Sequence, residues 1–225
     1  MTTSSRSREK IKVAVITGHH PYEVVALQAF LRSLPEIDAY PQNLEDFVTD
    51  EGGSRSEYEV VVFYNYHLPT PGNEQFPLGG NVREVLEQLG ETDQGIFVLH
   101  HAILAYPDWP LWQQIVGSIR MDSTRDVFQD QRVSIQNVAS DHPITKGLRA
   151  FEMVDETYPA SEPGDGSEVL LITDHPESMR TMAWTRTYKN ARVFCYQSGH
   201  DNVAFNNPSF QTVVARGIQW CARRI

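Results

Sequence analysis

The chain has 225 residues, 40% of them hydrophobic and 21% charged, with a formal net charge of −10. That length allows a substantial core in one large domain or two small ones, and the acidic balance, without a block of Lys or Arg, argues against a nucleic-acid partner held through its phosphates. Two cysteines, Cys195 and Cys221, make neither a Cys-x-x-Cys pair nor a disulfide framework, which points to a reducing, cytoplasmic setting.

Residues 1–10 are polar and Ser/Arg-rich, lack the apolar stretch of a secretory signal, and read as a disordered arm ahead of a single domain over 11–225. No run approaches the ~18 apolar residues of a membrane span. Residues 11–17 are an apolar run closed by Gly18, hence a buried strand. Pro21 suits a first helical turn. Val24, Leu27, Leu31 and Leu34 then recur at helical spacing, so 22–34 is expected to be an amphipathic helix. A short strand at 37–40 follows, then a strand at 58–64 and a Pro/Gly-containing loop over 65–79. Val82, Val85, Leu86 and Leu89 mark a helix over 81–90, stopped by Gly90. The apolar run 95–100 completes a βαβαβ-like alternation, the pattern of a doubly wound, mostly parallel sheet. A short helix carrying Trp109 and Trp112 comes next. The second half is β-rich, with strands expected at 132–138, 151–155, 169–173, 181–184 and 192–196. Asn207 as cap and Pro208 at the first position open a last helix whose buried face is Phe210, Val213, Val214, Gly217, Ile218 and Cys221. The fold class is a three-layer α/β arrangement with an antiparallel extension.

Three of these strands end on histidines: His19-His20, His100-His101, and His200 after Ser198-Gly199. In parallel α/β sheets the carboxyl ends of the strands form the ligand crevice, so three imidazole-bearing ends imply a polar pocket and a candidate metal site. An imidazole there binds a divalent ion or moves protons near neutral pH. His100 and His101 are adjacent, and strand alternation puts one of the two toward the pocket. His19 and His20 sit at a helix N-terminus, where the dipole favours the neutral, metal-binding ring; His20, before Pro21, is the better fixed. Glu23 is a further partner or a first-turn dipole residue. Gly199 permits a tight turn, and Asp201 is placed to orient an imidazole or to act as a ligand. In Asp155-Glu156-Thr157-Tyr158, Glu156 and Tyr158 share one side of a strand, an acid/base group beside a donor. His67 and His175 read as loop residues, and His142 in Asp141-His142-Pro143 as part of a turn. Neither phosphate-binding glycine fingerprint is present, so no nucleotide cofactor is expected; His-Glu-x-x-His and Gly-x-Ser-x-Gly are also missing. Cys195 and Cys221 lie inside a strand and a helix, away from any activating elbow.

Four segments in order carry a resemblance to a known family. They are Gly95-Ile96-Phe97-Val98-Leu99-His100-His101-Ala102, Asp141-His142-Pro143-Ile144-Thr145-Lys146-Gly147-Leu148, Asp155-Glu156-Thr157-Tyr158, and Trp184 with Arg192 through Asp201, running on to Phe205-Asn206-Asn207-Pro208-Ser209-Phe210 and Arg216-Gly217-Ile218-Gln219-Trp220. Together they resemble the ThuA-like family, named for trehalose utilisation, over residues 11–222. The resemblance implies a flavodoxin-like domain of the class I glutamine amidotransferase type, with a mostly parallel sheet. It also implies a place in disaccharide uptake and breakdown, in some members beside enzymes that form 3-keto-sugars. Amidotransferase chemistry does not carry over, because it needs a cysteine at the elbow after the central strand and His100-His101 stands there. No appended domain is expected after Arg224-Ile225.

The leading expectation is an enzyme of carbohydrate metabolism. Glu156 and His101 would be the catalytic groups, and His20, His101 and His200 would hold one divalent metal, zinc or manganese. His100, Asp201, Tyr158 and Trp109 would contact the substrate, a sugar or 3-keto-sugar. Glu156 is either a ligand or the general base. A second expectation is a non-catalytic sugar-binding or sensing protein in which Tyr106, Trp109, Trp112 and Tyr158 stack on the sugar. A third is an assembly protein, since related folds form homo-oligomers. No nucleic-acid or membrane partner is expected.

Overall fold

Val13 and Val15 point to one side of the first strand and Ala14 and Ile16 to the other, and all four are buried, as a central parallel strand requires. The computed structural model describes residues 9–50, 53–77, 79–122, 124 and 126–225. Residues 1–8 of the expected polar arm lie outside the described residues. In chain order the elements are β1 (Ile11–Gly18), α1 (Val24–Ser33), β2 (Ile37–Asn43), α2 (Leu44–Thr49), β3 (Val60–Asn65), α3 (Val82–Glu87), β4 (Gly95–Leu99) and α4 (Pro110–Val116). They continue with β5 (Phe128–Asn137), β6 (Phe151–Thr157), β7 (Glu168–Ile172), β8 (Thr181–Tyr188), β9 (Ala191–Tyr196), α5 (Asn202–Phe205) and α6 (Pro208–Cys221).

The nine strands form one sheet in the order β2-β1-β3-β4-β9-β8-β7-β5-β6. β2, β1, β3, β4 and β9 are mutually parallel, and the pairs from β9 outward to β6 are antiparallel. The parallel part therefore has the doubly wound flavodoxin-like order, with β9 as its fifth strand. Strand alternation divides the core in two. On one face Val13, Val15, Phe97 and Phe194 pack against Leu27, Phe30, Phe205, Phe210 and Val214 of α1, α5 and α6. Phe30 and Phe205 stack at 5.1 Å, nearly parallel. On the other, Ala14, Ile16, Phe63 and Val98 pack against Leu44, Phe47, Leu86 and Trp112 of α2, α3 and α4.

The capping of α6 follows its sequence signals: the Asn207 side chain accepts hydrogen bonds from the Ser209 and Phe210 amides. The short helix α2 has no side-chain cap. α2 buries Leu44, Phe47 and Val48 at helical spacing, but six residues are too few for a period to show. β2 runs beyond residue 40 through Pro41, which an edge strand tolerates because its outer N–H groups need no partner.

One departure from a plain doubly wound sheet positions the site. β5 and β6 pair as a ribbon, and β5 joins β7 only through Gln136 and Asn137. Val133, Ile135 and Met153 of that ribbon are buried in the core on the α1/α6 side. The ribbon thereby carries the end of β6 to the edge where β4 and β9 terminate.

Candidate functional site

The carboxyl ends of β1, β4 and β9 deliver the imidazoles. β1 stops at Gly18, whose φ of +132° turns the chain. A Cβ at Gly18 would sit 3.1 Å from Cε1 of His67, so that ring would have to give by a few tenths of an ångström. β4 stops at Leu99, and His100, at a φ of +56°, opens a 3-10 turn over His100–Leu104. A non-glycine residue in the left-handed region is strained, and such strain persists only where neighbours hold it. Here the Tyr158 hydroxyl donates to the His100 carbonyl at 3.2 Å. Because alternation ends with the strand, both His100 and His101 turn inward, rather than the one that a continued strand would have allowed. Their rings lie 4.1 Å apart and nearly perpendicular.

His100 is fully buried, and its Nδ1 faces the Gln197 carbonyl at 3.0 Å. A carbonyl only accepts, so Nδ1 carries the proton and Nε2 presents a lone pair, 3.2 Å from His200 Nδ1. His200 follows Gly199, where the backbone is clamped on both sides. The Asp155 carboxylate accepts from the Gly199 amide at 2.8 Å and the His200 amide at 3.0 Å, and the Tyr64 hydroxyl donates to the carbonyls of the same two residues. Glu156, also buried, is hydrogen-bonded through Oε1 to His101 Nε2. Its other oxygen is 3.3 Å from His200 Nδ1, and His100 Nε2 is 3.6 Å from Oε1.

Burial sets the charge states. It holds His20 down at about 4, helped by the nearby His101 and His200, and pushes His100 well below the ordinary imidazole value. Both are therefore neutral near pH 7. Burial also raises Asp155 to about 6, outweighing the amides that donate to it. The Cys195 and Cys221 thiols are buried and pushed far up, so neither is a nucleophile.

His20, His100, His101 and His200 each present one ring nitrogen, all within 4.8 Å of one another. Neighbouring nitrogens around a tetrahedral metal with ~2.1 Å bonds are about 3.4 Å apart, so the set would have to contract by up to about 1.4 Å to close on such an ion. Among the described residues, Nδ1 of His20 and Nδ1 of His101 are buried without a hydrogen-bond partner. Such a set of imidazole nitrogens could hold a divalent transition-metal ion.

Of the residues singled out in the sequence, His20, His100, His101, His200 and Glu156 converge. Others do different work. Asp201 caps α5, accepting from the Val203 and Ala204 amides, because its side chain lies at that helix's N-terminus and not against an imidazole. Trp109 and Trp112 are core residues, 3% and 0% exposed, as is Tyr106. Trp112 Nε1 donates to the Ala102 carbonyl, beneath the histidine turn. Tyr158 lies under the cluster with its hydroxyl committed to His100, so it offers no donor beside Glu156. Glu23 accepts from the Asn202 amide and side chain, tying α1 to α5.

Three residues at the end of β3 also belong to the edge. Tyr64 holds the 199–200 turn, the half-buried Tyr66 ring is 4.9 Å from His101, and His67 stacks on His19 at 4.0 Å with its Nδ1 accepting from Asn65. Their position directly after a central parallel strand was the available signal. An open surface cavity of about 680 Å³ lies at the opposite edge of the sheet, lined by Tyr58, Glu59, Gln94 and Arg223 and by no histidine.

The sequence matches the family model ThuA, described as trehalose utilisation, over residues 12–221. Among solved structures, a ThuA-like protein from Parabacteroides merdae superposes with a TM-score of 0.72 at 21% identity, over 95% of this chain and 90% of that one. A ThuA-like protein from Bacteroides uniformis gives 0.73 at 17% identity, over 98% and 95%. PurLQS from Thermotoga maritima gives 0.61 at 11% identity, over 94% and 99%, which extends the likeness to the glutamine amidotransferase fold. No curated protein matches the chain. No helix among the described residues is long and apolar enough to cross a membrane.

Proposed function

The chain belongs to the ThuA family of trehalose utilisation, and from that premise we propose that it is a metal-assisted enzyme acting on a glycoside or 3-keto-glycoside. The observation that carries this reading is the convergence of four imidazoles at the crevice edge of the sheet, three of them, His100, His101 and His200, against one carboxylate, Glu156. His20, His100, His101 and His200 would hold a divalent ion. Such an ion supplies Lewis acidity toward a sugar carbonyl or a water.

The chain's own groups do the rest. A carbonyl acidifies the neighbouring C–H, and Glu156 is the base placed to take that proton. Its hydrogen bond to His101 fixes the carboxylate, and His200 lies within reach of the second oxygen. As the proton moves to Glu156, the C–H electron pair spreads onto the carbonyl; when it returns to form the C=C bond, the C–O bond breaks with its pair on the glycosidic oxygen, which takes the proton back from Glu156. His100, neutral and hydrogen-bonded to Gln197, orients the cluster without competing for the proton. Trp109 and Trp112 are packed in the core and offer no stacking surface, so aromatic stacking does not favour the sugar-sensing alternative.

The test is elemental analysis of tag-free protein beside His20→Ala, His101→Ala, His200→Ala and Glu156→Gln, with turnover of a 3-keto-glycoside. Near-stoichiometric metal that falls in the histidine variants, with turnover lost in Glu156→Gln, is the expected result. Intact metal content and intact turnover across the set would refute the assignment.

A further inference from the structure

Asp155 and Glu156 are neighbours on β6, so strand alternation sends their side chains to opposite sides. Both are buried. Glu156 meets the imidazoles, whereas Asp155 touches none of them. Its Oδ1 accepts from the Glu156 amide at 2.9 Å and the His200 amide at 3.0 Å, and its Oδ2 from the Gly199 amide at 2.8 Å. A buried carboxylate with three backbone donors is a costly group to retain unless it holds something in place. What it holds is the turn after β9, where Gly199 has a φ of +118° and where the Tyr64 hydroxyl binds the two carbonyls from the other side.

We propose that Asp155 is the positioning residue for His200: it fixes the 199–200 backbone so that the His200 ring completes the four-imidazole cluster, with Tyr64 as the opposing jaw. The acidic pair thus splits its work, Glu156 toward substrate and Asp155 toward ligand geometry. The proposal rests on the metal reading above for its consequence, and on the clamp geometry alone for its structural content. Asp155→Asn is nearly isosteric but places an N–H donor where one oxygen now accepts, setting donor against donor. Partners that orient metal ligands are worth roughly 10- to 100-fold in affinity.

The experiment titrates the chelator-treated full chain with Co²⁺ in the wild type, Asp155→Asn, Tyr64→Phe, His200→Ala and the double variant Asp155→Asn/His200→Ala. Asp155→Asn is expected to weaken Co²⁺ binding roughly 10- to 100-fold and to change the Co²⁺ absorption bands. Tyr64→Phe should act in the same direction. In the His200→Ala background the Asp155 substitution should cost almost nothing further, because its effect passes through His200. Equal losses in both backgrounds would mean a general structural role and would overturn the proposal. Amide exchange and ring-proton contacts, read by NMR without metal, provide a separate arm. Asp155→Asn should speed exchange at Gly199 and His200 and break the His100–His200 ring contact, while β1 amides stay protected. Should the wild type take up no Co²⁺, the metal reading falls, and this NMR arm still decides the positioning claim. An unchanged His100–His200 contact would overturn it.

Discussion

Acidifying the metal-free protein from pH 6.5 toward pH 5 should destabilise it, and the size of the loss follows from three rings. Burial holds His20 and His67 at about 4 in the folded chain, and His100 well below its ordinary value, against an ordinary imidazole value near 6.5. In that window the unfolded chain binds up to three protons that the folded chain refuses. Their contribution is complete above pH 6.5 and is lost as pH falls toward the folded values. Asp155 runs the other way, because its folded value of about 6 lies above the unfolded one, so it takes up a proton on folding. The net is at most about two protons, or roughly 3 kcal/mol per pH unit. His20 and His67 are partly exposed, and solvent screening lowers this to about 1–2 kcal/mol per pH unit. The assay is urea unfolding of chelator-treated protein at closely spaced pH values, with His67→Gln as a control outside the metal set. The slope should fall by roughly one proton in that variant. A stability that is flat or rises on acidification would refute the charge assignment. Saturating metal should add about 2.7 kcal/mol at neutral pH when present at 100 times its Kd, and should be expelled by the same protons.

Tyr158→Phe removes the hydroxyl that holds the strained His100 carbonyl but keeps the ring stacked beside His101 at 5.2 Å. It should cost about 1–2 kcal/mol and lower Tm by roughly 2–8 °C in a chain of this size, readable by calorimetry, with metal content retained. Trp109→Ala empties a buried core position flanked by Tyr106 and Arg83. It should cost about 3–5 kcal/mol and leave metal uptake per folded molecule unchanged, which urea unfolding and elemental analysis together would show. A loss of metal binding without a loss of stability would return Trp109 to the site.

The sequence by itself determined what is local and what topology makes general. The runs ending at His20, His101 and His200 are apolar enough to be central strands, and parallel strands place their carboxyl ends along one edge, so convergence of the histidines was legible. The Asn207-Pro208 start of α6 was legible for the same reason, since a cap acts on its own next two or three residues. Only the tertiary structure decided the rest. Glu156 arrives because the β5–β6 ribbon leaves the sheet plane after two paired residues and folds back onto the α1/α6 side, a long-range packing choice with no local signal. His100 and His101 both turn inward because the strand stops at Leu99 and a positive φ follows, whereas alternation in the sequence promised only one. Asp201 became a helix cap and Trp109 a core residue because α5 and α4 settled where they did. A side chain's type sets the chemistry available to it; burial and neighbours hundreds of atoms away decide which of those chemistries it keeps.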